Sequence, residues 1–217
     1  MNTIRKLFAV AALVGVMPAA FAASTVDLTV SGTIVPASCT PTLSAPNVNF
    51  GKFSSADLNT DESTKWGDGL NSSLTVNCVA PTLYGIRSID NRSATVGHNG
   101  YMSPYGLGLT SAGEKLGAHY LEIKTFGSTI DGKRSYITVG NSGGTTWAAS
   151  LEGVKAIRNT GELLGFTDQI GETTGPIAIK DGIFALAHYV HIAPASGLTL
   201  TSDVALDGSA TIEVVYL

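Results

Sequence analysis

The side chains able to do chemistry are few, and two cysteines come first. Cys39 and Cys78 are the only sulfhydryls in the chain. A redox couple favours close Cys-x-x-Cys spacing, and a structural zinc site needs more ligands than this pair supplies. In an oxidising compartment such a pair is most simply a disulfide. Closing that loop is expected to stabilise the fold by ~3–4 kcal/mol through chain entropy. The four histidines offer less. His188 and His191 stand three apart in a strand-like segment, where alternation puts them on opposite faces, so each is expected to make a polar edge contact rather than share a metal. His98 and His119 lie in or beside a Gly-rich region with no carboxylate or cysteine cluster at ligand spacing. No Gly-x-Ser-x-Gly nucleophile elbow occurs, and Gly106-Leu107-Gly108 lacks the rest of a dinucleotide fingerprint. The expectation is therefore no catalytic residue, no metal site and no cofactor. Asn71-Ser72-Ser73 and Asn91-Arg92-Ser93 match the glycosylation acceptor pattern but read more simply as turn chemistry.

The elements that would position these groups are strands. Ser73 to Val79 alternates, with Leu74, Val76 and Cys78 on one face and Thr75 and Asn77 on the other, so Cys78 is expected to point inward. Thr82 to Ile89, Tyr120 to Phe126, Ser135 to Val139, Pro176 to Ile179, Ile183 to Ile192 and Ser209 to Tyr216 give further strands. Turn signals such as Asp131-Gly132 and Gly143-Gly144 separate them. Leu151 to Leu164 has some helical character but is broken by Gly153 and Gly161, and it is left unassigned. Many short strands between turns predict an all-β sandwich or barrel. The stretch Gly97 to Gly117, with Tyr101, Met102 and Tyr105, is expected to be a surface loop contacting a receptor or a neighbour, or a plain insertion.

Composition agrees with a β domain. Charged residues make up 14% of the chain, against about 25% in average domains, while Gly is abundant at 25 residues. A net charge of −4 leaves no basic footprint for nucleic acid.

The start of the chain predicts export. Arg5 and Lys6 precede an apolar run from Leu7 to Met17, followed by Pro18 and the small-residue pattern Ala20-Phe21-Ala22. This is the order of a secretory signal peptide, expected over residues 1–22. The run is too short to span a bilayer of ~30 Å, and no later stretch offers about 18 uncharged apolar residues, so no membrane span is expected. Beyond the cleavage site, Val26, Leu28 and Val30 alternate with Thr25, Asp27 and Thr29. Near the other end Ala210, Ile212, Val214 and Tyr216 form an apolar row, with Thr211 and Glu213 turned away. Both ends thus read as amphipathic strands.

With these features the sequence resembles the pilin subunits of the chaperone–usher pathway, the fimbrial-like proteins of Gram-negative bacteria. The residues carrying the resemblance are Gly32-Thr33-Ile34-Val35-Pro36-Ala37-Ser38-Cys39, Leu74-Thr75-Val76-Asn77-Cys78, Phe184-Ala185-Leu186-Ala187-His188-Tyr189-Val190, and Gly208 to Leu217. They cover the ends of the mature chain well and the middle, about Tyr84 to Thr174, poorly. The resemblance implies an incomplete immunoglobulin-like sandwich that lacks its last strand and is completed by a donor strand. It implies a donor-strand extension over residues 23–31 and a pilin domain over 32–217. Val26, Leu28 and Val30 would be the donor residues; Ala210, Ile212, Val214 and Tyr216 would face a periplasmic pilus chaperone, which would also hold the Leu217 carboxylate. The implied partners are that chaperone, an outer-membrane usher and other pilin subunits, and the implied destination is a fimbrium on the cell surface, where it would support cell adhesion. The competing expectation is a stand-alone exported carbohydrate-binding β-sandwich whose terminal strands close its own fold; a secreted hydrolase on a β scaffold lacks a constellation to support it.

Overall fold

The computed structural model describes residues 26–32, 38–97 and 102–217. The signal-peptide segment, His98, Tyr101 and most of the Gly32-to-Cys39 motif lie outside the described residues. The chain divides into two units, residues 1–35 and 36–217. In the first, Val26 to Gly32 pairs in no strand, and Val26, Leu28 and Val30 are 95%, 87% and 86% exposed.

The second unit is all β, with no α-helix among the described residues. Its strands are β1 (Cys39–Leu43), β2 (Thr64–Thr82), β3 (Tyr84–Asp90), β4 (Tyr105–Gly106), β5 (Gly117–Ile130) and β6 (Lys133–Arg134). They continue with β7 (Tyr136–Gly140), β8 (Trp147–Ala149), β9 (Val154–Ala156), β10 (Leu163–Thr167), β11 (Ile179–Ile192) and β12 (Ala210–Tyr216). One antiparallel sheet runs in the order β1-β2-β11-β5-β4, with β6 and β9 also on β5. The other runs β12-β3-β10-β7-β8. No helix among the described residues is long and apolar enough to cross a membrane.

Alternation explains why the sheets stack. Along β11, Phe184, Leu186, Val190 and Ile192 share one parity and are buried, because successive side chains of a strand point to opposite faces. Leu74, Val76 and Cys78 do the same on β2, as expected, and Tyr84 and Ile86 face them from β3 within one hydrophobic cluster. Phe166 of β10 stacks on Phe184 of β11 with ring centroids 4.0 Å apart, joining the two sheets. A second cluster around Leu107, Leu116, Val190 and Ile192 packs with Phe50, Phe53 and Trp66.

Two expectations change. Pro176 to Ala178 is not strand: proline has no N–H for a ladder, and the arm makes one backbone bond, from Ile177 N–H to the Phe166 carbonyl, before β11 starts at Ile179. The stretch expected as a surface loop, Gly97 to Gly117, instead folds inward in its described part, burying Tyr105, Leu107 and Leu116. Its buried polar groups are satisfied from within: the Tyr105 hydroxyl bonds Ser88 and the Ile157 carbonyl, and Asp90 accepts from Gly106 N–H at 3.0 Å. The unassigned region from Leu151 contributes β9 and the start of β10, with Gly161 turning between them at φ +85°.

Candidate functional site

The order of strands leaves β1 and β12 as outer strands, one in each sheet. β1 is held to β2 in the register Cys39↔Cys78 to Leu43↔Leu74, and the disulfide between Cys39 and Cys78 locks its first residue. β12 lies along β3 in the register Ala210↔Asp90 to Tyr216↔Tyr84, and its partner Arg87 forms a 2.6 Å ion pair with Glu213. At one end the two edges are tied across the gap, where Cys39 N–H donates to the Tyr216 hydroxyl at 2.8 Å. At the other end Leu43 of β1 and Ala210 and Ile212 of β12 line a cleft of about 300 Å³. β1 and β12 therefore run in opposite directions along the gap. A strand laid between them would be antiparallel to one and parallel to the other.

The gap opens onto core. Ile212 and Val214 pack against the main hydrophobic cluster yet are only half-buried, while Ala210 and Tyr216 are exposed. Each outer strand carries ladder groups on a side that no described strand covers, a template for adding another strand. Leu217 continues the line of β12 along β3, its N–H donating to the Leu83 carbonyl at 3.1 Å, and remains partly exposed.

The floor of the cleft is polar at one place. His188 shares the inward parity of β11 and is 7% exposed. Its ring stacks on His119 of β5 with centroids 5.5 Å apart and planes 5° from parallel. His119 Nε2 and His188 Nδ1 are 3.3 Å apart, and His188 Nε2 is 2.7 Å from the Ser72 hydroxyl of β2. Burial holds His119 down at about 4, with the neighbouring His188 adding to it, and burial alone holds His188 at about 4. Both rings are thus neutral at pH 7, and a neutral imidazole both donates and accepts a hydrogen bond. His188 makes an interior contact rather than the expected edge contact, while His191 faces the other way and lies 3.3 Å from the Ser63 hydroxyl. The parity of β11 carried that signal; the pairing with His119, 69 residues away, did not show in the sequence. No three His, Cys, Asp or Glu side chains gather as a metal site among the described residues.

Of the expected site residues, Ala210 and Ile212 border this cleft, and Val214, Tyr216 and Cys39 continue the same gap. Val26, Leu28 and Val30 belong to the other unit and are exposed in a segment with no assigned strand. Sequence reasoning missed His119, His188 and Ser72 as members of one site.

Residues 28–103 match a family described as a protein of unknown function (DUF1120). The chain is 30% identical to Protein GltF of Escherichia coli (strain K12), with 92% of this chain and 93% of that protein aligned. It is also 30% identical to the uncharacterized protein YhcF of the same organism, with both chains fully covered. No solved structure matches.

Proposed function

We propose a function from one premise: this chain belongs to the family of GltF and YhcF. It is a structural subunit of a chaperone–usher fimbria, and it polymerises by strand exchange. The observation that carries the reading is the uncovered gap between β1 and β12, over a core that Ile212 and Val214 only partly close. The exposed Val26, Leu28 and Val30, alternating with polar residues, supply the matching part, a segment that would present one apolar face if it paired as a strand.

The physics favours the exchange. Burying three aliphatic side chains contributes roughly 1.5–3 kcal/mol each before ordering costs, and main-chain bonds to both edges add specificity of register. An uncovered groove of this kind would otherwise aggregate. In this reading a periplasmic chaperone covers the gap first, an outer-membrane usher passes the subunit outward, and the extension of the next subunit takes the chaperone's place. Residues 1–22 are the export signal, the fibre at the cell surface is the destination, and the role is adhesive architecture rather than catalysis.

The test is Leu28→Asp. A carboxylate at the centre of the donor face would be buried on insertion, which is strongly unfavourable. Assembly is expected to stop while chaperone binding persists. Fibres of normal length from this variant would overturn the donor assignment.

A further inference from the structure

The polar floor of the cleft has no role in the strand exchange as described above. Three hydrogen-bonding groups, His119, His188 and Ser72, sit in line beneath the place where an added strand would lie, although apolar side chains would fill that space as well.

We propose that filling of the cleft by a strand is coupled to deprotonation of the His119–His188 pair, so that the strand is held while the pair is neutral and released in acid. This rests on the strand-exchange reading and adds a control to it.

With one proton on each ring, the line is complete: each close contact has one donor and one acceptor, in either direction along Ser72, His188 and His119. One further proton makes a cation at the stack. The groups facing the pair give that charge no counter-ion. Ser72 faces it from β2, Leu121 from β5, Leu186 from β11, and Ala210 and Ile212 from β12. Asn47 and Phe50 close the side, and the Tyr105 ring lies 5.8 Å from His119 with its hydroxyl committed to Ser88 and Ile157. Among the described residues, no Asp, Glu, Lys or Arg lines the cleft. A protonated pair therefore depends on water entering through the open gap, and a strand over the gap removes that water.

The sign follows from linkage. Burial already holds both rings at about 4. A strand that dries the cleft lowers the pair further, so the empty cleft binds a proton more readily than the filled one. Affinity is then constant at neutral pH and falls as pH drops through the value of the empty cleft. Each unit by which filling lowers the pair corresponds to a tenfold loss.

The experiment uses the chain without its first 22 residues and a synthetic peptide of residues 23–32, titrated by calorimetry at pH 7 and at pH 4 in two buffers of different ionisation enthalpy. The ring signals of His119 and His188 are followed by NMR with and without peptide. Binding is expected at pH 7, with binding up to about twofold weaker and proton release on binding at pH 4. The two rings should titrate at lower pH when peptide is bound, and His188→Gln should reduce the proton release. If the peptide binds but the rings titrate identically with and without it, the coupling is overturned and strand exchange stands. No binding at pH 7 overturns both. The ring titration uses the unsubstituted chain, so it decides the matter even if His188→Gln does not fold.

Discussion

Removing the disulfide should loosen the wall of the cleft before it unfolds the domain. Cys39 and Cys78 are 39 residues apart. In the chain-entropy treatment a cross-link over that span removes about 13 cal/mol/K from the unfolded state, or about 4 kcal/mol at 25 °C. Cys78 is also buried beside Leu74 and Val76, so its replacement loses packing as well as the constraint. For Cys39→Ala with Cys78→Ala the expected loss is about 4 kcal/mol, and at ~2–4 °C per kcal/mol for a domain of this size the Tm falls by about 8–16 °C. Urea titration and thermal melting followed by circular dichroism read both values. β1 has five residues and, among the described strands, pairs with β2 alone. Its amides should therefore lose hydrogen-exchange protection first, while those of β11 stay protected. A loss under 1 kcal/mol, or protection of β1 unchanged in the variant, would refute the claim that the disulfide holds this edge of the cleft.

Gly106 should not tolerate a side chain, because a Cβ there would lie 2.1 Å from the Arg92 carbonyl oxygen. Gly106→Ala is expected to lower the unfolding free energy read by urea titration by about 2 kcal/mol or more as strain at a packed backbone contact, whereas Gly69→Ala, with open space around it, tests the separate cost of a positive φ. The histidine pair sets a pH dependence of folding. Their folded values of about 4 lie below the ordinary 6.5, so the unfolded chain binds more protons between those limits and stability rises with pH across that window. The slope is about 1.4 kcal/mol per pH unit for each ring; a stability profile from pH 7 to 4.5 that is flat, or that keeps its slope in His119→Gln, would contradict it.

How much of this was legible in the sequence depended on whether a signal was local. The parity of Leu74, Val76 and Cys78 needs only neighbours along one strand, and that face was read correctly from it; the same parity places His188 with Phe184 and Leu186 on the buried face, where an edge contact had been expected. The all-β class followed from alternation and turn signals along the chain, and the disulfide from a lone pair of cysteines behind an export signal. The course of Gly97 to Gly117 was misread because glycines and tyrosines look alike in an exposed loop and in one folded over a core. What decides between them is whether distant groups such as Asp90 and Ile157 satisfy its polar atoms. The stacking of His119 on His188 was hidden for the same reason, since it depends on the register between β5 and β11, where Val190 pairs with His119. A strand's parity shows which face a side chain takes, while register shows what it meets there.

The central claim is that the gap between β1 and β12 takes the strand at residues 23–32 of another copy. Its most direct test is the urea midpoint of the chain beginning at Gly32, measured with and without a peptide of residues 23–32. A chain that is unstable or aggregates alone is expected to be stabilised by about 2.7 kcal/mol when the peptide is present at 100 times its Kd. A stable monomer whose midpoint the peptide leaves unmoved would contradict the account.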